Sequence, residues 1–284
     1  MTGCKSPTII PFIMNLNPIR DWFAECPGAL IAFSGGVDSS LVAYLAKYFL
    51  GEERMLAVIS ASPSLKLSDL DEAKAFAHRH GIPVRVIATK EMENPNYFQN
   101  PTNRCYYCKH TLYDELVALG EEFSGWWVLN GTNTEDLGDY RPGLRAAEEF
   151  AVRSPLADVD MDKSGVRQLA EHFNLKCWDK PASPCLSSRI PYGEQITVEK
   201  LRQVEAAEAV VKKAGFHINR VRHFGDKARV EVPADQTKDL HLSKEAIRSG
   251  ILALGFTEVE FDDEGFVSGK LNRVILGTSF IAGK

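Results

Sequence analysis

Ala29-Leu-Ile-Ala-Phe-Ser-Gly-Gly-Val-Asp-Ser-Ser40 runs straight into Leu41-Val-Ala-Tyr-Leu-Ala-Lys-Tyr48, and the reading of this stretch decides the fold. Ala29 to Phe33 is a short, continuously apolar run of the kind that forms a buried parallel strand, while Ser39 to Phe49 carries apolar residues at helical spacing. The Ser-Gly-Gly turn therefore joins a strand to a helix N-terminus, and such a junction attracts anions. Gly35 and Gly36 tolerate positive φ and carry no Cβ, so backbone N–H groups can close on a phosphate while the helix dipole adds to the attraction. Ser34, Ser39 and Ser40 add hydroxyl donors, and Val37 is an apolar residue inside the loop. Asp38 would repel a phosphate unless a cation lay between them, which points to Mg²⁺ held against a polyphosphate. The stretch matches neither G-x-x-x-x-G-K-[ST] nor G-x-G-x-x-G, so the common P-loop and dinucleotide readings fail here.

The chain has 284 residues, of which 44% are hydrophobic, enough for one sizeable core and a second small domain. Its formal net charge of −5 argues against a protein wrapped around nucleic acid. Residues 1–17 contain Pro7 and Pro11 and lack a charged-then-apolar signal pattern, so they read as a loose leader. No stretch reaches the roughly 18 apolar residues of a membrane span. The expectation is a cytoplasmic protein with no membrane partner. Six cysteines in a chain of this length do not make a disulfide scaffold; they are free thiols, metal ligands or reactive groups.

Beyond the first strand and helix, Met55 to Ser60 reads as a second strand, Ser68 to His80 as an amphipathic helix N-capped by Ser68, and Val84 to Ala88 as a third strand. Trp126 to Asn130 reads as a further strand, followed by the polar, glycine-rich loop from Gly131 to Gly143. Strands alternating with helices imply an α/β fold with a doubly wound, mainly parallel sheet, whose ligands sit at the carboxyl ends of the strands. Ser60 and the loop beginning Gly131-Thr132-Asn133 should then face the same crevice as the Ser-Gly-Gly turn, with Asp136, Asp139 and Arg141 as weaker candidates.

Asn103-Arg-Cys-Tyr-Tyr-Cys-Lys109 holds a C-x-x-C pair that leads into a helix from Thr111 to Leu119. A tetrahedral zinc site would need a second pair at the usual spacing, and a thioredoxin-like disulfide would follow a first strand. A third candidate is a site completed by a distant cysteine. Cys185 offers that thiol, in the proline-punctuated Lys180-Pro-Ala-Ser-Pro-Cys-Leu-Ser-Ser-Arg-Ile-Pro-Tyr-Gly193, where Lys180 and Arg189 are nearby cations that would favour a thiolate. Cys4, Cys26 and Cys177 stand in no motif, although Cys177 is close to Cys185 in the chain.

After Tyr192-Gly193 the pattern changes, with a boundary near Gln195. Thr197 to Ala214 reads as a helix capped by Thr197, Ile218 to Phe224 and Ala228 to Val232 as strands, Asp235 to Leu254 as a helix and Thr257 to Phe261 as a strand. This order suits a small α+β domain over residues 195–284, after a first domain over residues 18–194. Arg220 and Arg222 alternate and so share one strand face.

The S-G-G-x-D-S-S string resembles the PP-loop of the N-type ATP pyrophosphatases, which release pyrophosphate and leave an adenylylated substrate. That resemblance implies ATP and Mg²⁺ as ligands and gives Gly131, Thr132 and Asn133 a part in enclosing the nucleotide. The PP-loop, the N-R-C-x-x-C-K segment, the R-S-P-L segment (Arg153 to Leu156) and the K-P-x-x-x-C-L-x-S-R-I-P-Y-G segment, in this order, are similar to the LarE family of ATP-dependent sulfur transferases. The family acts in biosynthesis of the nickel-pincer nucleotide cofactor, converting carboxylates of a pyridinium dicarboxylate mononucleotide into thiocarboxylates. The resemblance implies that Cys185 is the sulfur donor, consumed in a single turnover, or that Cys105, Cys108 and Cys185 hold a 4Fe-4S cluster that passes on an extra sulfide. The C-x-x-C pair favours the cluster. The resemblance also implies that Arg220 and Arg222 bind the substrate phosphate, that Glu208, Glu231 and Asp239 correspond to carboxylates of a second metal site, and that the chain forms a homo-oligomer. A tRNA-thiolating enzyme is the alternative with the same ATP chemistry, but the acidic balance and the lack of a basic, aromatic-rich patch weigh against it. A non-catalytic ATP-binding regulator is the alternative from another class.

Overall fold

The computed structural model describes residues 15–138, 142–267 and 270, so the expectations about Cys4, Asp139, Arg141 and the leader up to residue 14 lie outside the described residues. Asn17 is already helical, as the first residue of α1 (Asn17–Ala24), a helix the sequence reading did not anticipate. The strand β1 (Ala29–Ala32) is buried along its whole length and passes through the Ser-Gly-Gly turn into α2 (Val37–Leu50). Then come β2 (Met55–Ser60), α3 (Leu67–Arg79), β3 (Val84–Ile87), the short α4 (Pro95–Phe98), α5 (Arg104–Gly120) and β4 (Trp127–Leu129). Helices α6 (Thr134–Leu137), α7 (Pro142–Glu149), α8 (Pro155–Asp158) and α9 (Lys163–His172) complete this part of the chain.

The four strands pair in parallel in the order β3-β2-β1-β4. Parallel strands need crossovers, which place helices on both faces, and the strand residues divide accordingly. Ala29, Ile31, Met55, Ala57 and Ile59 pack with α1, α2, α3 and α9, whereas Leu30, Ala32, Leu56 and Val58 pack with α5 and α7. This is the doubly wound α/β architecture expected of the sequence. The Arg153-Ser-Pro-Leu156 segment extends it at the β4 edge, because Arg153 N donates to Val128 O and Asn130 N to Arg153 O.

A second, three-stranded sheet pairs β5 (Arg220–Phe224) antiparallel with β6 (Lys227–Glu231) and β6 parallel with β7 (Glu258–Phe261). The helices α10 (Val198–Lys213) and α11 (Thr237–Leu252) cover it around a separate core that includes Val221, Val230, Ile247 and Val259. The side chain of Thr197 caps α10 by accepting from Lys200 N, as its sequence position implied.

Two local expectations change. Ser68 does not cap α3; the helix begins one residue earlier, and its Leu67 N–H is satisfied at 2.6 Å by Glu205 Oε1, from α10, a partner that sequence proximity cannot reveal. The C-x-x-C pair does not precede its helix but lies within it. α5 starts at Arg104, so Cys105 and Cys108 stand nearly one turn apart on neighbouring positions of one face.

Gly35 has φ +73°, and a Cβ there would stand 2.8 Å from Ala73 Cβ on α3. Gly35→Ala is therefore expected to lower the unfolding free energy by about 1–3 kcal/mol, read from urea denaturation.

Candidate active site

The turn after β1 is held by its own hydroxyls. Ser39 Oγ donates to Gly36 O at 3.2 Å, accepts from Ser34 N at 3.2 Å and shares a hydrogen bond with Ser34 Oγ at 3.0 Å. Gly36 is the N-cap of α2 in extended conformation with no side chain over the first turn, so that turn keeps N–H groups available to an anion. Val37 is buried as an anchor, while Ser40 is fully buried beneath the loop. The strand β4 delivers Gly131 directly onto this helix end, where a Cβ would meet Ser39 N at 2.6 Å. Thr132 N donates to Asn130 Oδ1, and Asn133 caps α6 in a reciprocal capping box with Asp136. Ser60, at the carboxyl end of β2, shares a 2.6 Å hydrogen bond with Thr89. The structure thus brings the whole predicted nucleotide set to one end of one sheet.

Asp38 faces two donors across the crevice, Asn133 Nδ2 at 3.1 Å and the Lys163 ammonium. Lys163 was not singled out from the sequence. A signal was present, since a lysine at the first position of a helix capped by Asp162 sits against the positive end of the dipole, an unfavourable place unless an anion is near. These residues fit ATP and Mg²⁺: open N–H groups for phosphate oxygens, one carboxylate for a hard cation and one ammonium for the phosphates.

The segment carrying Cys185 is laid across the same end of the sheet. Leu186 N donates to Ser64 O at 2.8 Å, and Ser183 Oγ donates to Asp69 of α3 at 2.8 Å. The two cations expected to serve the thiol are engaged elsewhere. Lys180 pairs with Asp69 and Glu72, and the fully buried Arg189 binds Glu208 at 2.7 Å while donating to Pro184 O, Cys185 O and Ser188 Oγ. Arg189 therefore clamps the backbone of the loop. The cation that acts on the thiols is Lys109, which lies over the Tyr113 ring at 5.7 Å. Burial, reinforced by the charges of Cys185 and Glu91, pushes the Cys108 thiol far above its usual range, and Lys109 opposes this. Cys185 is half-buried and Cys105 exposed. Cys177 is half-buried, lines a cavity of about 330 Å³ beside Gly35, and has its thiol pushed up by burial. Cys26 is buried in the core.

Arg220 and Arg222 share one face of β5, as the alternation required, and both are buried. Arg222 holds Glu231 through two bonds of 2.6 and 2.9 Å and donates to Ser188 O at 3.3 Å. Arg220 stacks on Phe266 at 3.9 Å, and among the described residues no carboxylate pairs with it. Burial, with the charges of Arg189 and Arg222, lowers Arg220 to about 10, which leaves it cationic at neutral pH. Among the described residues, Lys66, Arg189, Arg220 and Arg222 thus stand against Glu208 and Glu231, an excess of positive charge next to the Cys185 segment. Lys270 approaches Glu231 at 3.9 Å but bonds Asp262 at 2.7 Å.

The expected second-metal carboxylates are not brought together. Glu208 is bound by Arg189 and Lys66, Glu231 by Arg222, and Asp239 is exposed on the first turn of α11. Among the described residues, no three His, Cys, Asp or Glu side chains are gathered to hold a metal ion, and this includes Cys105, Cys108 and Cys185. Among them, too, no helix is long and apolar enough to cross a membrane.

A parallel sheet with an open, hydroxyl-bound Gly-Gly helix entry at its carboxyl edge defines the PP-loop class of ATP-using enzymes, and the sequence pattern of NAD synthase matches residues 20–103. The chain is 46% identical over 263 residues to the uncharacterized protein slr1717 of Synechocystis sp., covering 92% of this chain and 98% of that protein. It is 35% identical over 245 residues to pyridinium-3,5-bisthiocarboxylic acid mononucleotide synthase of Lactiplantibacillus plantarum, covering 86% of this chain and 89% of that protein. The uncharacterized protein MJ0830 of Methanocaldococcus jannaschii is 29% identical over 246 residues, 87% of this chain and 89% of that protein. The chain belongs to the LarE family.

Lys163→Met is expected to raise KM for ATP about tenfold in a pyrophosphate-release assay. The melting temperature should stay close to wild type, because the Asp38–Lys163 pair is partly solvent-exposed.

Proposed function

We propose that the protein is an ATP-dependent sulfur transferase that adenylylates a carboxylate of a pyridinium dicarboxylate mononucleotide, releases pyrophosphate, and replaces the activated oxygen with sulfur. The observation that carries this reading is the buried Arg220, which no described carboxylate pairs with, beside Arg222, which contacts Ser188, three residues from Cys185, while Leu186 ties the same segment to Ser64 in the loop after β2. That β5, the Cys185 thiol and the loop after β2 all meet the 185–188 segment supports this reading. The relative named pyridinium-3,5-bisthiocarboxylic acid mononucleotide synthase supports the choice of substrate. In this reading residues 18–194 form the activating domain, and residues 195–284 form the domain that supplies Arg220 and Arg222.

The chemistry follows from the residues. A carboxylate is a poor electrophile until AMP is attached to one of its oxygens, after which a sulfur nucleophile adds to the carbon and AMP leaves. Asn133 and Lys163 orient Asp38, the carboxylate that would hold Mg²⁺, and the ion would supply positive charge against the polyphosphate. Arg220 holds the substrate phosphate through a charge-assisted contact, and burial on β5 gives that contact a fixed direction. Cys185 is the sulfur donor in this reading. A 4Fe-4S cluster on Cys105, Cys108 and Cys185 is the second reading, supported by the C-x-x-C pair on one face of α5; among the described residues the three thiols are not gathered as ligands.

Intact mass and iron content of anaerobically purified protein, before and after turnover with Mg-ATP and the pyridinium nucleotide, separate the two. A chain about 34 mass units lighter, with the loss at Cys185, is the outcome for a consumed thiol. About four irons per chain and an unchanged mass identify the cluster. Untouched nucleotide overturns the proposed reaction. Arg220→Ala is expected to raise KM for the nucleotide about tenfold and leave KM for ATP unchanged, as measured by steady-state kinetics.

A further inference from the structure

Glu91 follows β3 and is 1% exposed, yet among the described residues no cationic side chain pairs with it. A buried carboxylate without a counter-charge must be held by hydrogen bonds, and two hydroxyls supply them. Thr89 Oγ1 donates to Oε2 at 2.6 Å, and Ser64 Oγ donates to Oε1 at 3.4 Å. Because a carboxylate only accepts, both hydroxyl protons are committed to it, and this sets the direction of each bond further out. Thr89 must then accept from Ser60, at 2.6 Å, and Ser64 from Ser62, at 2.7 Å.

The two branches run to different places. One ends on Ser60, at the nucleotide edge of β2. The other reaches the sulfur-bearing segment, since Ser64 O accepts from Leu186 N, and the next residue of that segment, Ser187, bonds the buried Tyr97 phenol at 2.7 Å. Leu186 and Ser187 immediately follow Cys185. Thr89, Ser64, Tyr97 and Ser187 are all buried, so water does not compete for these bonds.

We propose that Glu91 is a positioning residue that fixes the Cys185 segment relative to the nucleotide edge of the sheet and so couples carboxylate activation to sulfur delivery. The proposal rests on the sulfur-transferase reading for its second half, while its first half concerns the placement of Cys185 alone.

Glu91→Gln keeps the side-chain shape but turns one acceptor into a donor, so that one of the two hydroxyl branches must reverse or break. Two measurements on the full chain test the proposal. In the first, pyrophosphate released per thiocarboxylate formed is expected to rise about tenfold, since activation continues while sulfur delivery lags. In the second, alkylation of Cys185 by iodoacetamide at fixed pH, followed by peptide mass spectrometry, is expected to speed up about fivefold while Cys177 alkylates at the wild-type rate. Ser64→Ala, which breaks one branch and leaves the carboxylate, should shift both readouts in the same direction and serves if Glu91→Gln does not fold. An unchanged product ratio with unchanged Cys185 alkylation overturns the proposal, as does a parallel fall of both products. If the wild-type protein makes no thiocarboxylate, the functional reading fails, and the alkylation rates still decide whether Glu91 places Cys185.

Discussion

The close approach of α3 and of the loop after β4 to the turn that enters α2 is the constraint on which the rest of this structure depends. Gly35 lies against Ala73 and Gly131 against the backbone of Ser39, each with less room than one methyl group requires. These contacts bring α3 and the end of β4 against the turn that leads from β1 into α2, a helix whose first N–H groups no side chain caps. An open terminus costs the fold hydrogen bonds that a capped helix would have, and it is retained where an anion supplies them. The parallel order of the sheet makes this possible, because every crossover returns the chain so that the next strand ends at the same edge.

A second constraint acts where the smaller sheet and α10 meet the Cys185 segment. Arg189 is buried with four acceptors, two of them carbonyls of its own loop, and its partner Glu208 belongs to α10. A buried ion pair offsets its desolvation only when its geometry is nearly complete, so this one specifies position more than it adds stability. Arg222 repeats the device with Glu231 and touches the same loop at Ser188. The Cys185 segment is thus held from below by the small sheet and from the side by Ser64, which leaves Arg220 as the unneutralised cation.

Burial and most of the surrounding charge act together on the Cys108 thiol, and Lys109 opposes them. Around Cys108, desolvation and the Glu91 carboxylate favour the protonated form, while Lys109 favours the thiolate. The same carboxylate orders the hydroxyls on either side of it, so one buried charge bears on both the reactivity and the placement of sulfur.

The sequence by itself determined the strand, turn and helix around Ser34-Gly-Gly36, the four parallel strands, the cap at Thr197 and the shared face of Arg220 and Arg222. All of these follow from local periodicity and backbone preference, which act over a few residues. It also showed that Cys105, Cys108 and Cys185 are the cysteines in distinctive settings. Only the tertiary structure decided that Glu205 caps α3, that Lys163 faces Asp38, that Lys180 and Arg189 serve carboxylates and carbonyls before any thiol, and that Glu91 joins two hydroxyl branches. Each of these pairs residues far apart in the chain or depends on which of several acceptors lies within about 3 Å, and charge type and spacing do not encode that distance.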